Sequence, residues 1–96
     1  MFETATIEPN LRKVMEAGYA AEYGYAKPLP NLMGYNSTMA RMAVARIVLS
    51  GGSVEKAFCT DLGIGVTAFK RGGFKIEPEF RRRFAAMKRA AEEGQC

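Results

Sequence analysis

The chain has no histidine and no tryptophan, and only two cysteines in 96 residues. Without imidazole, histidine acid–base chemistry and nucleophile–histidine triads are excluded. Cys59 and Cys96 alone are too few ligands for a zinc site, and no cofactor is expected. They also give no disulfide framework, since small secreted scaffolds carry denser, paired sets, so a reducing cytoplasm is the expected setting. No run approaches the roughly 18 apolar residues of a membrane span. The opening stretch MFETATIEPN has acids where a signal peptide needs a basic region and an apolar core. Neither export nor membrane insertion is expected. No segment alternates with period two, so strands are not expected either. Glu77 and Glu79 stand at a helix start, and no other carboxylate pair suggests general acid–base work. An enzyme is the least supported class.

What is present is the composition of a folded domain, 48% apolar and 25% charged. A chain of this size has surface to bury for one core, so residues 1–96 are read as a single domain. The net charge of +4 is unevenly spread. Residues 1–37 carry three basic residues against four acids, a net of −1. Residues 38–96 carry eleven against six, a net of +5, and residues 66–89 alone hold eight against Glu77 and Glu79. Such a local excess is an electrostatic footprint for a polyanion, or a solvated helix face.

Apolar spacing predicts about five helices. After Pro9 and Asn10, residues Leu11, Val14, Met15, Gly18 and Tyr19 trace one buried face. Residues 24–37, GYAKPLPNLMGYNS, break both regular periods and read as a connector. Its P-x-P segment is either a recognition element or a rigid linker. Ser37 caps a helix over 38–50 whose stripe is Ala40, Ala43, Val44, Ile47 and Val48. Arg41 and Arg46 are expected to reach solvent from it, and Gly51 with Gly52 to end it. Ser53 caps a short helix with Val54, Phe58 and Leu62 on one face and Gly63 as its stop. GVTAFKRGG supplies another, with Val66 and Phe69 inward. Pro78 opens the last, whose inward stripe is Phe80, Phe84, Met87 and Ala91 and whose end is Gly94.

The stretch FCTDLGIGVTAFKRGG, residues 58–73, joins the two short helices. Gly63, Gly65 and Ala68 match a dinucleotide-binding G-x-G-x-x-A spacing, but that motif needs a buried strand before the first glycine. A helix-turn-helix instead needs two short helices, a small residue near their crossing, a glycine in the turn and apolar anchors on both sides. Cys59, Gly63, Phe58, Ile64 and Phe69 supply these types in order. The fold is therefore read as an all-α, single-domain bundle of about five helices containing a helix-turn-helix. Residues 1–37 form its N-terminal helix and connector, and 38–93 its core with a basic C-terminal helix.

Residues 47–92 resemble the helix-turn-helix of phage small terminase subunits and related mobile-element DNA-binding proteins. Gly52, Ser53, Leu62, Gly63, Ile64, Phe69, Pro78, Glu79 and Phe80 carry the likeness. Gly65 stands where that family commonly has a capping serine or threonine, and Gly72 lies near its usual tryptophan. The resemblance implies double-stranded DNA as partner. For terminases it further implies packaging-site recognition, ring assembly and contact with the large subunit.

On a DNA-binding reading, Thr67, Lys70 and Arg71 face the major groove, and Lys75, Arg81, Arg82 and Arg83 hold phosphates. The competing expectation is a small protein–protein module, a virion component or an inhibitor of a host nucleic-acid machine, that keeps the motif as a scaffold. It draws on the tyrosines and methionines of residues 19–42 and on the general separation of fold from function.

Overall fold

Prolines, capping residues and left-handed glycines set most of the helix boundaries. A computed structural model describes residues 8–25 and 37–93, with the backbone alone at Ser37. Five helices are present among them: α1 (Pro9–Tyr23), α2 (Ser37–Leu49), α3 (Val54–Leu62), α4 (Val66–Arg71) and α5 (Pro78–Glu93). The described residues contain no strand, so the architecture is all-α and a dinucleotide cradle has no sheet to stand on. The P-x-P segment of the connector and the proposed stop at Gly94 lie outside the described residues.

The α1 face is as its spacing predicts, with Leu11, Val14, Met15, Gly18 and Tyr19 all buried. Gly18 lets α1 approach α5 closely, because a side-chain carbon there would lie 3.0 Å from the Met87 sulfur. The burial on α2 departs from its predicted stripe. Val44 and Val48 are buried as expected, but so are Met42 and Ala45, while Ala40 and Ala43 are half-buried. The cause is position: α2 packs against α1, α3 and α5, so more than one face is covered.

Ser53 caps α3 by accepting from the Lys56 amide at 3.1 Å. At the other end Gly63 turns left-handed, with φ of 78°, and the Gly63 and Ile64 amides both donate to the Cys59 carbonyl. A non-glycine residue in that conformation meets steric strain, so the turn depends on this glycine. Phe58 lies edge-on to both Phe69 of α4 and Phe80 of α5, at 5.9 and 4.9 Å between ring centroids. It is the aromatic joint of the C-terminal half. Leu62, predicted inward, is instead 46% exposed, because those covering rings sit at the level of Phe58. On α5, Phe80, Met87, Ala90 and Ala91 are buried and Phe84 is half-buried against the core.

Candidate nucleic-acid interface

Helix α4 is six residues long and packs on α3. Phe69 anchors it, 5% exposed, and Val66 packs partly buried beside the core. Thr67, Ala68, Lys70 and Arg71 are exposed. Gly65 opens the helix in an extended conformation with no side-chain cap, so its first amides have no side-chain acceptor. Lys70, largely in solvent, approaches the partly exposed Glu55 at 3.8 Å, a long pairing weak enough to exchange for a phosphate. Arg71 makes no ion pair among the described residues.

Lys75 follows in the connection to α5, exposed and without an ion pair among the described residues. Arg81 is exposed at a shallow groove of about 470 Å³ between residues 51–54 and α5, which it shares with Lys88 and Phe84. Arg82 points to solvent and pairs with Glu79 one turn earlier at 2.5 Å. No direct packing joins α4 to α5. Their cations are related through α3, by way of Phe58, and through the chain between Gly72 and Glu77.

Arg83 stands apart from this set. Its side chain is only 13% exposed and reaches Glu22 of α1 at 3.2 Å and Asp61 of α3 at 3.3 Å. Its guanidinium also lies 4.8 Å from the Phe80 ring centroid. It borders a groove of about 220 Å³ that Glu22, Asp61, Glu77 and Glu79 make acidic. Arg83, expected to hold phosphate, is thus committed inside the bundle: three consecutive arginines on a helix project in different directions, and the third turns inward.

Arg41, expected in solvent, is also committed. It donates to both Glu22 carboxylate oxygens and lies 5.0 Å from the Tyr19 ring centroid and 5.9 Å from that of Tyr23. Its hydrogen bonds hold the Glu22 carboxyl below the usual carboxylate range, assisted by the nearby charges of Arg41 and Arg83. Reciprocally, Glu22 holds Arg41 above its ordinary value. These partners are 19 and 61 residues apart in sequence, so no local spacing reveals them. Arg46, in contrast, is exposed as expected. Burial pushes the Cys59 thiol up, which suits a packed core side chain of α3 rather than a reactive one.

Among the described residues no cluster of three potential metal ligands occurs, and no helix is long and apolar enough to cross a membrane. The chain matches no family model, no characterised protein and no solved structure. The fold and its surface define the class, a small all-α domain with cations exposed along α4, the following connection and α5.

Proposed function

We propose that the protein binds double-stranded DNA through a helix-turn-helix formed by α3, the Gly63–Gly65 turn and α4, as a phage or mobile-element protein acting in packaging or transcription control. The observation that carries this is the exposure of Lys70, Arg71, Lys75, Arg81 and Arg82 on successive elements that follow a glycine turn. Thr67, Lys70 and Arg71 on α4 are the groups to present to base edges. Lys75, Arg81 and Arg82 hold phosphates and set the register, while Arg83 supports the bundle.

A mobility shift with random duplex DNA at low and at moderate salt tests the assignment. Duplex binding that weakens with salt, and that falls at least tenfold in the double variant Lys70→Glu, Arg71→Glu, is the expected result, with ~1 kcal/mol or more per reversed contact. Unchanged binding in a folded double variant removes the assignment of α4.

The exposure of Tyr23, Tyr25 and Leu62, at 40%, 63% and 46%, favours a second reading as a protein-interaction module. A stoichiometric protein partner together with no duplex affinity at low salt selects it. A terminase large subunit and a host factor are the partners to try, with sizing of the free protein to establish whether it self-associates.

A further inference from the structure

Four phenylalanines run in contact from the bundle interior to its surface. Phe80 meets Phe58 edge-on at 4.9 Å, Phe58 meets Phe69 at 5.9 Å, and Phe69 stacks on Phe74 at 5.9 Å with planes 12° apart. The first three are 5–6% exposed, whereas Phe74 is 53% exposed. The outer ring runs nearly parallel to its neighbour but laterally offset from it, and about half of the residue is in water.

The backbone is shaped to keep it there. A side-chain carbon at Gly72 would come within 2.6 Å of Phe74 Cε2, so only glycine leaves the ring its place. The Phe74 amide donates to the Phe69 carbonyl at 3.3 Å, and the Gly72 amide to the Ala68 carbonyl at 2.9 Å. Lys70 and Arg71 precede the ring and Lys75 follows it, all exposed. An exposed aromatic ring with cations close to it in sequence matches the chemistry of single-stranded nucleic acid, whose bases stack on rings while its phosphates meet positive charge.

The ring's attitude narrows the ligand. A wedge that opens a duplex step is forced between base pairs, whereas the near-parallel offset of Phe74 on Phe69, with planes 12° apart, is the arrangement that one more stacked ring extends. A base inside a duplex already has neighbours on both faces. A base with a free face is unpaired or at an end.

We propose that Phe74 is a stacking platform for an unpaired nucleobase, so that the protein prefers duplex DNA bearing a single-stranded tail over the same duplex with blunt ends. This rests on the duplex-binding reading above: α4 and α5 hold the duplex and the first unpaired base lies on Phe74.

The chain has no tryptophan, so Phe74→Trp installs a single indole reporter at the platform. The probes are a short blunt duplex, the same duplex with a 3′ or a 5′ thymidine tail, and the tail alone. The expected result is an affinity gain of about fivefold or more from a tail of one polarity, the range of one base–aromatic stack. Phe74→Trp keeps that gain, and its emission changes with tailed DNA but not with blunt DNA. Phe74→Ala and Phe74→Leu lose the gain while binding the blunt duplex as the parent does. Leucine retains the apolar contact with Phe69, so its loss separates stacking from folding.

Equal affinity for tailed and blunt duplex, with unchanged indole emission, overturns the platform and leaves duplex binding standing. Equal weakening of both probes in the leucine variant also overturns it. Binding of the tail alone, with emission change but no duplex affinity, supports the platform and overturns the duplex reading. No binding to any probe overturns both.

Discussion

Glu22 accepts from Arg41 of α2 and Arg83 of α5, and Arg83 reaches on to Asp61 of α3, so one carboxylate near the end of α1 connects four helices. The Glu22 side chain is 31% exposed, and those of Arg41 and Arg83 are 22% and 13% exposed. These pairs are therefore neither freely solvated nor dry. Breaking a buried pair costs about 3–5 kcal/mol and losing a surface pair less than about 1, which brackets the intermediate case. Glu22→Gln is expected to lower the unfolding free energy by about 1–2 kcal/mol, read as a lower urea midpoint at unchanged slope. The pH dependence follows from the same contact. The folded carboxyl titrates below its unfolded value, so its stabilisation is present above the ordinary glutamate value of about 4.3 and is lost as pH falls through the folded value. Below both values none of it remains. The gap in urea midpoint between the parent and Glu22→Gln should narrow as pH is lowered from neutral into the acid range; a constant gap would remove Glu22 from this role. The upward shift of Arg41 acts at strongly alkaline pH, outside that window.

At the scale of the element, helix identity and the α1 face were legible because local rules govern them. Prolines open α1 and α5, Ser53 caps α3, and Gly63 ends it. What periodicity does not contain is the number of neighbours a helix acquires. Met42 and Ala45 are buried because three helices pack on α2, and Leu62 is exposed because none of the described residues covers the last turn of its face. The candidate interface was legible as a charge excess, but its membership was not. Arg82 and Arg83 are indistinguishable by type and adjacent in sequence, and only tertiary contact sends one to solvent and the other to Glu22 and Asp61. Helix α4 carries the most direct prediction at this scale. Gly65 has φ of −79° and ψ of 156°, ordinary values for a capping serine, and a side-chain carbon there meets no heavy atom within 4 Å. Gly65→Ser should therefore stabilise the fold by about 0.5–1 kcal/mol, through the new cap and a less flexible unfolded chain. Thermal unfolding measures this, and a destabilised serine variant would show that α4 does not begin in this conformation.

At the scale of the whole molecule, the cations divide into exposed ones and ones paired inside the bundle, and on the proposed DNA-binding reading salt dependence separates them. Arg71, Lys75 and Arg81 make no ion pair among the described residues, while Lys70 and Arg82 face a partly exposed and an exposed glutamate that can be exchanged. Each phosphate neutralised contributes about −0.9 to the slope of log affinity against log salt, so contacts by three to five of these residues give a slope between about −2.7 and −4.5. Arg83 is already neutralised within the bundle and lies outside that count. Arg71→Gln should therefore make the slope shallower by about 1 if Arg71 meets a phosphate, whereas a base contact would relax sequence preference and leave the slope near the parent value. Arg83→Gln should lower the urea midpoint and leave the slope unchanged, because it removes an internal tie rather than a phosphate contact. The two variants carry the same change of formal charge. A slope that shifts equally in both would assign DNA affinity to net charge alone and remove the defined surface on α4 and α5.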